Sequence, residues 1–176
     1  MTFSPPLRKL VLATHVITSV GWVGAVLAYL VLDLTATLGN DLQTVRAAFL
    51  AMQMTVSYSI VPLAIASVSI GILNALGTPW GLFRHYWVLV KLLLTLFATT
   101  ILLLETQSIG YMAEVAASGV DPRSLPGSLP HSIGGLIVLL TVTILAIYKP
   151  SGVTPCGWRK QQEPRGARKI TTESAT

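Results

Sequence analysis

The sequence predicts an all-α fold, a bundle of four transmembrane helices with the N- and C-termini both cytoplasmic, and three observations predict it. First, 52% of the 176 residues are hydrophobic and 11% charged, with mean hydropathy +0.68, whereas soluble domains carry about 25% charged residues. Second, the apolar residues collect in four runs, each of the order of the ~20 residues that cross a bilayer core. Third, lysine and arginine are divided unevenly between the connections of those runs. Arg8, Lys9, Arg84, Lys149, Arg159, Lys160, Arg165, Arg168 and Lys169 fall on one side of a four-crossing topology. Arg46 and Arg123 fall on the other, together with Asp33, Asp41, Glu105, Glu114 and Asp121. Basic residues stay on the cytoplasmic face of a bacterial-type inner membrane, so both termini are expected there.

The first helix is expected over about residues 7–34, behind Pro5 and Pro6. Its apolar run exceeds the ~7–15 residues of a signal peptide core, and it reads as an uncleaved span. Gly39-Asn40-Asp41 is a polar turn, and the second helix is expected over 44–76 with Pro62 inside it. That is too long for one perpendicular crossing, so tilt, a proline kink or protrusion is expected. Gly77-Thr78-Pro79-Trp80-Gly81 is the next turn, with Trp80, Tyr86 and Trp87 suited to an interfacial aromatic belt. The third helix is expected over 84–106, followed by a long connection, Gly110 to Pro130, rich in proline. The fourth is expected over 131–149, ending at Lys149-Pro150. Residues 1–150 thus form the transmembrane domain and 151–176 a basic tail of disordered composition.

The net charge of +5 does not point to nucleic acid, because the charges sit in the tail and at helix ends, where the lipid bilayer and anionic lipid meet them. A single cysteine, Cys156, excludes an intrachain disulfide and a multi-cysteine metal site. There is no internal repeat and no glycine-rich phosphate loop; a homo-oligomer stays open.

Two polar stripes stand out. In the third helix Arg84, Lys91, Ala98 and Glu105 are spaced by seven, with Trp87, Thr95 and Leu102 beside them. Residues seven apart share a helix face with small drift. In the first helix Arg8, His15, Trp22 and Tyr29 repeat the spacing, with Thr18 and Ser19 close by. His15 and Lys91 each lie seven residues past a basic anchor, about 10 Å deeper at 1.5 Å per residue. An ammonium in a bilayer costs roughly 2.5–3.5 kcal/mol on insertion scales. Lys91 therefore either snorkels to the interface or is held by a partner in a shared interior site with His15.

His15, Trp22, Gly21, Gly24, the run Val90-Lys91-Leu92-Leu93-Leu94 and the closing Lys149-Pro150 resemble an uncharacterised family of predicted integral membrane proteins. That family is distantly similar to the copper-resistance D-type proteins and the haem-containing membrane protoporphyrinogen oxidases. The resemblance covers about residues 7–150 and is clearest over Gly77–Thr95. It implies haem b in the bundle, with His15 on the iron, Trp22 against the cofactor and Lys91 as the functional cation and candidate catalytic residue. The sequence departs from the oxidase branch in lacking an acid in its fourth helix.

Each of these residues also has a plainer reading. His15 serves equally as a neutral histidine hydrogen-bonded to a neighbouring helix, and Lys91 as a snorkelling lysine. His131 and Glu105, at matched depth on the outer side, form either a second metal or proton site or an ordinary interfacial pair. His85 reads as interfacial. Met52 and Met54 are copper(I)-type ligands by chemistry but do not share a face, which favours packing. Ser67 and Ser69 suit close helix approach. Three functions compete: a haem-b redox protein, a copper-handling or small-molecule transport protein, and a non-catalytic accessory protein.

Overall fold

In a computed structural model, which describes residues 3–77, 82–125, 127–155 and 158, the chain forms four long antiparallel helices. They are α1 (Pro5–Leu38), α2 (Leu42–Leu76), α3 (Tyr86–Ala117) and α4 (Leu129–Tyr148). All four are long and apolar enough to cross a membrane, and the chain reads as a multi-pass membrane protein. Each helix packs on its neighbours in sequence, and α4 closes the ring against α1. The outward faces carry Leu10, Ile17, Val20, Val31, Leu93, Leu104, Ile144 and Ile147, all exposed, as a lipid-facing surface requires.

The ends are built by local chemistry. Prolines occupy the first turns of α1 and α4, where a missing N–H costs nothing. Asp41 caps α2 by accepting hydrogen bonds from the Thr44 amide at 2.8 Å and its hydroxyl at 2.6 Å. Those bonds hold the Asp41 carboxyl below its ordinary range. Within α2, residues Val56–Ile60 take a π-helical turn directly before Pro62, whose ring and missing N–H disrupt the regular ladder. The irregularity expected at Pro62 thus takes the form of a local widening of the helix.

The boundaries differ most from the sequence expectation at the end of α3 and at the start of the tail, while α1 also runs four residues further, to Leu38. Helix α3 runs on to Ala117, because Ile109, Met112, Ala113 and Ala116 are buried at the i, i+3, i+4, i+7 spacing of one helix face. The connection that follows is correspondingly short, with a 3₁₀ turn at Pro122–Ser124 and Gly119 at φ 88, a left-handed conformation glycine adopts without strain. The start of the tail is ordered. Gly152 accepts from the Tyr86 amide at 3.3 Å, the Thr154 amide donates to the Arg84 carbonyl at 3.0 Å, and Val153 bridges His85. Residues 78–81, with Trp80, and Cys156 with most of the tail lie outside the described residues.

The end opposite the termini is closed by arginines. Arg46 donates to the carbonyls of Gly119 and Val120, and Arg123 donates to the Asn40 carbonyl at 3.4 Å. Arg123 also pairs with Asp121 at 2.7 Å. Its hydrogen bonds push the Asp121 carboxyl down to about 2 from an ordinary 3.8. A depressed acid stabilises the fold above its unfolded pKa and loses that contribution as pH falls through the folded value. This pair therefore holds at neutral pH and is lost between about 4 and 2. A carbon-13 carboxyl titration of Asp121 is expected to show its midpoint near 2 and to return toward the ordinary range in Arg123→Gln. A normal midpoint in the unmodified protein would refute the pairing.

The core sits in the half of the bundle away from the termini. Trp22, Val26, Tyr29 and Ala36 of α1 meet Val45, Phe49, Met52, Val56 and Ile60 of α2. Met52 is fully buried, whereas Met54 is 64% exposed; the two point to different faces and Met52 is a packing residue.

Candidate functional site

The α1 stripe does point inward. His15 is partly buried, Trp22 and Tyr29 are buried, and Ala36 continues the same line. On α3, Lys91 is partly buried while Ala98 and Glu105 line an interior cavity. Thr95 contributes nothing polar to that space, since its hydroxyl donates to the Lys91 carbonyl at 2.6 Å. The two stripes thus face a common interior.

His15 and Lys91 lie within electrostatic reach of each other, near the end that carries the termini. Beside them Ser19 and Ser67 share a hydrogen bond of 2.8 Å between α1 and α2, the close-approach role expected of Ser67; Ser69 is exposed. The His15 ring is seated against Gly71. A Cβ on that glycine would come within 2.9 Å of Cε1, 3.4 Å of Nδ1 and 3.6 Å of Nε2. The edge bearing both nitrogens is therefore turned into the α1–α2 contact, and Nδ1 is buried with no hydrogen-bond partner. An iron on Nδ1 would have to occupy that contact. Gly71→Ala is expected to destabilise the bundle by about 1–3 kcal/mol through overpacking, with the loss reversed by His15→Ala. Independent, additive losses in an equilibrium-unfolding cycle would contradict this seating.

A cavity lies beyond Trp22, toward the other end. About 300 Å³ in volume, it is lined by Trp22, Val26 and Tyr29 of α1, Val56 and Ile60 of the π turn, one face of α3 from Phe97 to Ile109 and the first half of α4. Its walls are mostly apolar. Gly134 and Gly135 help to make it, for a Cβ on either would meet nothing within 4 Å. Polar groups gather at the end near the start of α4. Tyr29 and Ser128 share a hydrogen bond of 3.0 Å. Ser132 donates to Asp33 at 2.7 Å, and Asp33 is only 1% exposed. Glu105 and His131 approach to 3.5 Å, with side chains 25% and 51% exposed.

Matched depth thus does place Glu105 beside His131. Such a partly exposed pair contributes at most about 1 kcal/mol to stability, so its proximity matters for what it can bind or exchange. Among the described residues no three of His, Cys, Asp and Glu gather to hold a metal ion. Asp33, Ser128 and Ser132 are the site residues that sequence reasoning missed. The available signal was Asp33 itself, an acid four residues past Tyr29 on the stripe that faces inward. No protein-family model, curated protein or solved structure matches the chain.

Proposed function

From a membrane-embedded bundle with this interior we propose a binding function, in transport or as a carrier, for a small amphipathic molecule. Its apolar body would lie in the cavity beside Trp22, and its hydrogen-bonding head would face Glu105 and His131. The single observation that carries the reading is that cavity, greasy along its length and polar at one end. This is the architecture of small-molecule sites, apolar walls with a few placed polar groups. Glu105 accepts a donor on the head group, while a neutral His131 accepts or donates, so the pair also suits exchange of a proton with it. By the positive-inside rule the basic end is cytoplasmic and the cavity mouth is on the outer side of the membrane.

The test is photolabelling in lipid nanodiscs with a short alkyl alcohol carrying a diazirine. Labelling is expected at cavity residues such as Ile101 and Val138 and to be suppressed by Gly135→Phe, which puts a large side chain at a cavity-lining position where a Cβ would meet nothing within 4 Å. Labels confined to the lipid-facing Leu104 and Ile144 would refute the reading.

A further inference from the structure

We infer that the molecule held in the cavity is a lipophilic amine, its alkyl chain among the apolar walls and its protonated nitrogen on Glu105. This rests on the cavity being a ligand site and adds the charge of the head group. Glu105 lines the cavity, with its side chain 25% exposed, so its carboxylate stays open to a ligand. The imidazole beside it, His131, places Nε2 at 3.5 Å. That is longer than the roughly 2.7–3.2 Å of a formed N–H···O hydrogen bond. The carboxylate therefore keeps its acceptor capacity for a donor that enters the cavity.

The rest of this end is built for the same sign of charge. Ser132, also in the lining, donates to the buried Asp33 at 2.7 Å. Two acids thus stand against one imidazole, and among the described residues no lysine or arginine lines the cavity. Arg46 and Arg123, the described arginines of this end, aim their donors at the carbonyls of Gly119, Val120 and Asn40 and at Asp121. A head group with a positive charge and N–H donors complements this wall, whereas a carboxylate or phosphate is repelled by it. Trp22 and Tyr29 add aromatic rings to the lining, the kind of surface that attracts an ammonium. Toward the other end Phe97, eight residues from Glu105 and about 12 Å along the axis, lines the space and is 61% exposed. The chain of the ligand therefore reaches the lipid-facing side of α3, and the occupant is an amine that partitions into the bilayer rather than a compact polar one.

The experiment compares photoprobes with the same octyl chain and diazirine, ending in an amine, an alcohol or a carboxylate. They are applied to the full chain in zwitterionic nanodiscs at neutral pH, where an alkylamine is protonated as a lysine side chain is. For each probe the yield at Ile101 and Val138 is divided by that at the lipid-facing Leu104 and Ile144, which removes differences in partition into lipid. The amine is expected to exceed the alcohol about tenfold, the low end for one close charge pair, with the carboxylate below both. In Glu105→Gln the amine-to-alcohol ratio is expected to fall toward one, and in Glu105→Asp to be largely kept. The order in the unmodified chain needs no variant and by itself decides the assignment. Equal cavity labelling by amine and alcohol, or an undiminished preference in Glu105→Gln, would overturn the amine while leaving the cavity a ligand site. Absence of cavity label from every probe would overturn both.

Discussion

Ser132→Ala is expected to destabilise the bundle by about 2–3 kcal/mol, on the scale of an unpaired acid in a membrane interior or of a buried group left unsatisfied. The Ser132 hydroxyl donates to Oδ2 of Asp33 at 2.7 Å, and also reaches the Leu129 carbonyl at 3.0 Å. Asp33 has almost no access to solvent. Alanine removes the donor without adding volume, leaving the buried carboxyl without that hydrogen bond. The hydrogen bond by itself is worth less, since interhelical bonds in membranes average about 0.6 kcal/mol. The double variant Asp33→Leu, Ser132→Ala is therefore expected to recover most of the loss. Unfolding in mixed micelles by steric trapping would measure both. If Ser132→Ala proved neutral, α4 would not be anchored to α1 through this pair.

Met52→Ala is expected to cost about 2–5 kcal/mol, the range for deleting a large side chain from a packed core. Met52 is wholly inaccessible and lies in the cluster with Val45, Phe49 and Val56. The neighbouring Met54→Ala is expected to change little, because that side chain is 64% exposed and exchanges one apolar surround for another in lipid. The same unfolding assay compares them. Similar losses from both would mean that the two faces of α2 are assigned wrongly.

These contrasts mark where the sequence was legible. Four apolar runs of spanning length specify four helices because a bilayer forces every spanning backbone to satisfy itself. Heptad counting turned His15, Trp22, Tyr29, Ala98 and Glu105 inward correctly, since a helix periodicity needs no knowledge of its partner. Depth counting also paired Glu105 with His131. The extension of α3 was harder to see. Ile109, Met112, Ala113 and Ala116 are interleaved with Gln107, Ser108, Gly110 and Glu114, so the composition reads as a connection while the spacing reads as a helix.

Other features depend on contacts that no local pattern encodes. Asp33 and Ser132 are 99 residues apart, and counting Asp33 as an outer charge concealed its burial. Pro62 announced an irregularity but not a π turn. The resemblance implied a cofactor on His15, and no local pattern indicated that Gly71 brings the α2 backbone against that ring. The open volume falls one stripe position further along, where Gly134 and Gly135 of α4 leave room. Packing decided that placement.

The most direct test of the interior site is native mass spectrometry of the gently solubilised protein beside its Gly135→Phe variant, with helix content checked by circular dichroism. The unmodified chain is expected to carry a releasable small-molecule adduct that the variant lacks while keeping its fold. Identical spectra from the two, with both proteins folded, would contradict a ligand in the cavity.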